Sequence, residues 1–206
     1  MILAISGVAG SGKDTLANII IDLQKKDNII STKNKIGIKS FVAFQVKKFA
    51  DPLKHVCSII TGLPIEHFYD REYYNAMIPN LNMTIREFMQ KMGTEVGRNI
   101  NENVWCYALL GKYQSHRNWI ITDTRFENEA GFVKMAGGYL IKITRPEHQE
   151  ITIFGDQKNH ASETGLSSYK EWDYEVVNDG TEEDLIAKIY PFLVKIGVCQ
   201  MREQNV

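Results

Sequence analysis

Gly7-Val-Ala-Gly-Ser-Gly-Lys-Asp-Thr15 is the stretch on which the reading of the whole chain turns. Met1-Ile-Leu-Ala-Ile-Ser6 precedes it, an apolar run short enough for one buried strand. After it Leu16, Ile19, Ile20 and Leu23 recur at i, i+3, i+4 and i+7, as one face of a helix does. Strand, glycine-rich turn, lysine and helix form the context a phosphate-binding loop requires. Glycines let backbone N–H groups converge on an anion, and the new helix aims the positive end of its dipole at the same spot. Lys13 adds a point charge for the outer phosphates of a nucleotide. Gly7, Gly12 and Lys13 satisfy G-x-x-x-x-G-K, but Asp14 comes next and the hydroxyl sits at Thr15. The plainer alternative is a glycine turn that only joins a strand to a helix. The flanking pattern favours a nucleoside triphosphate site.

Outward from that loop, the 206 residues suffice for one domain with a substantial core, with room for a small lid. Lys and Arg number 24 against 25 Asp and Glu, a net charge of -1. Binding to bulk nucleic acid normally needs a clear basic excess, so none is expected here. A few local arginines could still hold a small anionic substrate. Cys57, Cys106 and Cys199 are odd in number and widely spaced, without a zinc pattern or a disulfide framework. They read as small apolar residues in a reducing compartment. The N-terminus enters strand and loop directly, and no apolar run approaches the ~18 residues of a membrane span. A soluble, cytoplasmic protein with no membrane partner is expected, as a monomer or a homodimer.

Further along, residues 25–39 are polar and read as a loop, and Phe41, Val42, Phe44 and Val46 as a second strand. A helix is expected to start with Asp51 as N-cap and Pro52 as its first helical residue, to run to Ile60 and to stop at Thr61-Gly62-Leu63-Pro64. Residues 66–81 are irregular and aromatic around Asp70-Arg-Glu72. Thr84-Ile-Arg-Glu87 fits a capping box and opens another helix. On it Ile85, Phe88, Met89 and Met92 make an apolar face, while Arg86, Gln90 and Thr94 at i, i+4 and i+8 make a polar stripe beside Gly93 and Gly97. Glycines inside a helix cost about 1 kcal/mol each against alanine, so something should approach closely there. A second helix is the commoner cause, but the aligned Arg and Gln favour a bound ligand. A further helix covers 104–113, with Trp105 near its start.

Asn118-Trp-Ile-Ile-Thr-Asp-Thr-Arg125 reads as an apolar strand ending in an acid, Asp123, able to orient Mg²⁺ or its waters. Arg125 emerges at the same edge. A helix follows over 127–135 and ends at Gly137-Gly138. Residues 139–144 form another strand, left at Arg145-Pro146. The polar connection over 147–170 reads as either a functional segment, such as a lid, or a disordered one. Residues 174–177 make a last strand, Asn178-Asp-Gly180 a turn, and Thr181 starts a helix that Pro191 should kink or divide. Alternating strands and helices after such a loop predict an α/β fold, a parallel sheet carrying ligands at the carboxyl ends of its strands. Lys13, Asp123, Arg125 and Arg145 then share one edge.

Arg71, Arg86, Arg125 and Arg145, with no evident nucleophile, point to phosphoryl transfer. A phosphate monoester has its second pKa near ~6, so it is already an anion at neutral pH and needs no general base. It needs charge neutralisation, alignment and exclusion of water, which arginine forks supply.

The chain resembles the deoxynucleoside monophosphate kinases of bacteriophages. The resemblance rests on Gly10-Ser-Gly-Lys-Asp-Thr15, Phe49-Ala-Asp-Pro-Leu-Lys54, Asp70-Arg-Glu72, Thr84-Ile-Arg-Glu-Phe-Met-Gln-Lys-Met-Gly-Thr94 and Trp105. It continues through Thr122-Asp-Thr-Arg125, Ile143-Thr-Arg-Pro146, Asn159-His-Ala-Ser-Glu163 and Val177-Asn-Asp-Gly180, in the family's order from end to end. It implies a P-loop NTPase fold of the nucleoside monophosphate kinase type: three layers, a parallel sheet and one domain over 1–206. Within it an acceptor-binding helical region spans about 62–116 and a lid-like segment about 146–170. It implies ATP held by Gly10, Ser11, Gly12, Lys13, Asp14 and Thr15, with Mg²⁺ carried by the ATP beside Thr15 or Asp123 and no direct protein metal site. Arg71, Arg86, Gln90, Gly93, Thr94, Trp105 and Asp123 would surround a deoxynucleoside monophosphate. Lys13, Asp123, Arg125 and Arg145 would serve catalysis, and Arg125 and Arg145 would face either the transferring phosphoryl group or the ATP base. The implied reaction gives the diphosphate and feeds DNA precursor synthesis, in the host cytoplasm if the gene is a phage's. Asp14 matches this family, whereas some relatives carry basic side chains where this chain has Ala9 and Gly10. Two other readings stand beside it: a phosphate-loop kinase of another small metabolite such as dephospho-coenzyme A, and a regulatory nucleotide-binding module.

Overall fold

Ile2–Ser6 (β1) is buried along its whole length, as only an inner strand of a sheet covered on both faces can be. The structure, a computed structural model, describes residues 1–33, 42–146, 166 and 168–200. The chain divides into two compact units, one formed by residues 1–46 with 114–206 and the other by 47–113.

In the first unit β1 is followed by α1 (Lys13–Lys33) and β2 (Phe44–Lys47). Next come β5 (Asn118–Ile121), α7 (Glu127–Met135), β6 (Tyr139–Thr144), β7 (Tyr174–Val177) and α8 (Glu182–Lys195). The sheet order is β2-β5-β1-β6-β7. β1 runs parallel to β5 (Ala4 beside Ile121) and to β6 (Ser6 beside Lys142), and β6 runs parallel to β7 (Thr144 beside Val177). Alternate residues Leu3, Ile5, Ile120, Ile141, Ile143 and Val176 pack with Leu16, Ile20, Leu185, Ile189 and Leu193 of α1 and α8. α7 covers the other face, where its Val133 and Ile2 of β1 both crowd Gly138. Helices, sheet and helix make the expected three-layer α/β architecture.

α1 corrects one expectation. The stretch from residue 25, read as a loop for its polarity, continues the helix to Lys33. Polar residues do not end a helix; a glycine or proline does, and none stands before Gly37. Asp27 is also buried, its carboxylate accepting the Gln200 N–H at 2.6 Å. β2 is shorter than the alternation over 41–46 implied, and its single buried residue is Phe44. Pro191 does not divide α8, which passes through it unbroken from its Thr181–Asp184 capping box. A proline there leaves the Ala187 carbonyl without its i+4 donor.

The second unit is built from short pieces. α2 (Ala50–Thr61) leads to α3 (Glu66–Tyr69), a 3₁₀ turn at Arg71–Tyr73, and an antiparallel pair, β3 (Met77–Ile78) and β4 (Met83–Thr84). α4 (Ile85–Gln90) opens on the expected capping box: the Thr84 hydroxyl accepts the Glu87 N–H at 3.2 Å, and the Glu87 carboxylate accepts the Thr84 N–H at 2.7 Å. The winding then widens to a π-helix over Lys91–Gly97 before α5 (Arg98–Ile100) and α6 (Val104–Leu110). The core joins Cys57 and Leu53 of α2 to Phe68, Ile78, Ile85 and Phe88. Burial pushes the Cys57 thiol up to about 12, so it is a neutral packing group. Asp51 is not the expected N-cap: α2 begins at Ala50 after Phe49, and the Asp51 carboxylate, in the first turn, reaches back to accept the Lys48 N–H at 2.9 Å. Apart from its last residues, the helical region expected at about 62–116 lies in this unit, which begins at Lys47. The lid expected at about 146–170 lies outside the described residues except for Pro146, Leu166 and residues 168–170.

Candidate functional site

The turn after β1 takes its shape from two left-handed residues, Gly10 at φ 79° and Gly12 at φ 100°. Side chains at those angles would strain the backbone, so the two glycines are what lets the chain fold back on itself. The Ser11 N–H donates to the Val8 carbonyl at 3.2 Å, and the Leu16 N–H to the Gly12 carbonyl at 2.8 Å, which opens α1. Lys13 is its first residue, and its ammonium donates to the Gly7 and Val8 carbonyls at 2.6 and 2.8 Å. The lysine is thereby gathered into the loop. Asp14 and Thr15 are exposed in the first turn of the helix. Gly7 lies against the Ile143 carbonyl and the Ser11 hydroxyl, leaving no room for a side chain.

Because β5 and β6 run parallel to β1, residues 122–125 and Arg145 leave the sheet at the same edge as the loop. Asp123 lies two residues beyond β5 and is half-buried; Arg125 is exposed; Arg145, directly after β6, is half-buried. The backbone of Arg125 is held by buried Glu129, whose carboxylate accepts the Arg125 and Phe126 N–H groups at 2.8 and 3.2 Å. The hydroxyls of Ser11, Thr122 and Thr124 are buried with no hydrogen-bond partner among the described residues. Among those residues no group of three His, Cys, Asp or Glu could hold a metal ion by itself. Mg²⁺ is commonly held by one or two protein groups plus substrate phosphates. Asp123 and the Thr15 hydroxyl suit that arrangement, in which the ion arrives with a nucleotide.

In the second unit Arg71 is exposed in its 3₁₀ turn, and Arg86 and Gln90 are exposed at i and i+4 of α4, hence on one face. Thr94 lies in the π-helix, where i+4 spacing no longer stacks residues, so the three-residue stripe read with α periodicity ends at Gln90. Gly93 and Gly97 are explained by packing rather than by a ligand. A Cβ on Gly93 would lie 2.8 Å from Leu53 Cδ2, and one on Gly97 2.5 Å from Trp105 Cζ2. Trp105 is 8% exposed, and its indole N–H donates to the Gly93 carbonyl at 2.9 Å. Gly93 and Trp105 thus meet each other inside the unit.

A family model described as deoxynucleotide monophosphate kinase matches residues 54–189. The chain belongs to the deoxynucleotide monophosphate kinase family. A protein of Acanthamoeba polyphaga mimivirus, provisionally named a deoxynucleotide monophosphate kinase, is 31% identical over 206 residues, covering 92% of this kinase and 94% of the relative. Two solved structures share the outline at low similarity. One is a sugar kinase from Janibacter sp. HTCC2649 (TM-score 0.40, 12% identity, 97% and 98% of the two chains). The other is a dephospho-CoA kinase from Campylobacter jejuni (TM-score 0.42, 15% identity, 95% and 96%). As a family member the kinase is a phosphotransferase acting on deoxynucleoside monophosphates, with a nucleotide as phosphoryl donor. No helix among its described residues is long and apolar enough to cross a membrane.

Two parts of the site were not singled out from the residues. Glu129 read as one more polar residue of a helix; its place three after Phe126 was the available sign of a cap. Asn178 reads as a turn residue, and its amide donates to the Ser11 carbonyl of the glycine loop at 3.0 Å.

Proposed function

We propose that the kinase transfers the γ-phosphoryl group of MgATP to a deoxynucleoside 5′-monophosphate, releasing ADP and the diphosphate. The observation that carries this is the loop at the carboxyl end of the central parallel strand, with the Lys13 ammonium gathered into it. Gly10 to Thr15 hold the triphosphate through backbone N–H groups and the start of α1, and Lys13 places a positive charge against its outer oxygens. Thr15 or Asp123 would hold the Mg²⁺ carried by the ATP, which would supply further neutralisation of phosphate charge. An oxygen of the acceptor phosphate forms the new bond to phosphorus as the bond to the bridging oxygen of ADP breaks. The acceptor enters as an anion, so no proton has to be removed. Arg125 and Arg145 neutralise the phosphoryl group in flight or lie against the ATP base, and Asp123 also orients the acceptor.

On the acceptor side Arg71 and Arg86 bind the monophosphate, and Gln90 and Thr94 bind the nucleoside. Gly93 and Trp105, packed against each other, support the helix that carries these groups. Burial of all three cysteines without a disulfide suits a reducing cytoplasm. ADP release from MgATP is the direct test, with each common deoxynucleoside monophosphate and a Lys13→Ala control. Turnover that the control abolishes is expected. Turnover only with another phosphorylated metabolite would replace the acceptor named here.

A further inference from the structure

Asn178 follows β7, and its N–H donates to the Thr144 carbonyl at 2.7 Å, extending the β6–β7 ladder by one bond. Its backbone is therefore fixed beside Arg145. On the other side Lys188 of α8 donates to the Val177 carbonyl at 3.0 Å and pairs with Asp179. Held from both flanks, the Asn178 side chain reaches across to the loop, where its amide donates to the Ser11 carbonyl at 3.0 Å. The approach is tight. A Cβ on Gly12 would lie 2.5 Å from Asn178 Nδ2, so Gly12 is required by this neighbour as well as by its own backbone angle.

The consequence follows from peptide geometry. In a trans peptide the carbonyl and the next N–H point in opposite directions, and the chain has no cis bond among its described residues. A Ser11 carbonyl held on Asn178 therefore turns the Gly12 N–H away from Asn178. No described residue accepts from that N–H.

We propose that Asn178 is a positioning residue of the phosphate loop, locking the Ser11–Gly12 peptide so that the Gly12 N–H is presented to the triphosphate. Asn178 acts through Ser11 and needs no contact with the nucleotide. The inference rests on the loop's being the donor site of the proposed reaction, but it does not depend on which acceptor is used. A neutral hydrogen bond that aligns such a donor is worth about a tenfold change in affinity.

The test is ATP affinity by calorimetry, and KM for each substrate, in Asn178→Ala and Asn178→Asp. Alanine removes the amide donor without adding charge; aspartate keeps the shape, cannot donate, and adds a negative charge beside the loop. Expected are an ATP Kd raised about tenfold in the alanine variant and further in the aspartate variant. Deoxynucleotide KM should stay within about twofold of wild type, since the hydrogen bond lost lies only at the donor loop. Unchanged ATP affinity in both variants would overturn the proposal, as would equal weakening of both substrates, the mark of general loosening. Failure of the donor–acceptor reading itself shows differently, as wild-type protein that binds ATP and turns over no deoxynucleotide.

Discussion

The two units are made in different ways. In the first, the groups assigned to the triphosphate are presented by backbone: two left-handed glycines, a helix N-terminus and the carboxyl ends of parallel strands. In the second, the groups assigned to the acceptor are side chains on short helices. They are set in place by packing: Leu53 under Gly93, and Trp105 under Gly97. Backbone geometry requires particular residues at fixed spacings, so it leaves a motif. Packing requires only that shapes fit, so it leaves a scatter of residues that means little until the fold is known.

The comparison can be broken by finding a substitution that crosses it. Lys13→Ala should have the largest effect, lowering turnover by about 10² to 10³-fold. Deoxynucleotide binding, measured by calorimetry without ATP, should be retained; its loss would mean that the loop serves both substrates. Arg86→Ala should come next, weakening deoxynucleotide affinity by about 10 to 100-fold, as loss of a charge-assisted hydrogen bond does. ATP affinity should hold, and equal loss of both would remove Arg86 from its role.

Gly97→Ala sharpens the argument because it adds no functional group. The new methyl meets the Trp105 ring, and overpacking of that kind costs about 1–3 kcal/mol. Denaturant titration should show that loss. Deoxynucleotide KM should rise while ATP KM stays put. Effects on ATP alone would sever the π-helix from acceptor binding.

The smallest effect is one of pH, with one group in each unit. Glu87 and Asp184 are exposed N-terminal carboxylates held below their usual range, first by the backbone N–H of Thr84 and Thr181 and then by the hydroxyls of the same residues. A lowered folded-state pKa means stabilisation that is full above the unfolded value, about 4.3 for Glu and 3.9 for Asp, and that fades as pH falls through the folded one. Thermal melts from neutral pH downward should show Tm falling in that acid window. Glu87→Gln and Asp184→Asn should each flatten the fall, and an unaltered slope in both would show that the caps carry none of it.

Legibility in the amino-acid sequence followed the same divide. The loop, the strands at 139–144 and 174–177, the helix over 127–135 and the capping box at Thr84 could be read directly, because each is set by local chemistry. The length of α1 could not, since Asp27 is anchored by Gln200, far away along the chain. Nor could the reason for Gly93 and Gly97. A ligand and a tryptophan make the same demand for space, and only the fold tells them apart. The polar stripe was read with a 3.6-residue period that the helix abandons after Gln90. Asn178 stands in a family motif, but its contact with Ser11, 167 residues away, is not legible there.

The π-helix over Lys91–Gly97 has a consequence for heredity. A turn closed by i to i+5 bonds encloses one residue more than an α turn, so this segment amounts to an α-helix with a residue spliced in. Deleting one exposed residue, Lys91 for instance, would let an ordinary helix run through. Everything beyond it, Gly97 and Trp105 included, would swing round by about 100° relative to α4. What descent must guard between Gln90 and Arg98 is length more than composition, and a gap there would rewind the second unit where a gap in a loop would only trim it.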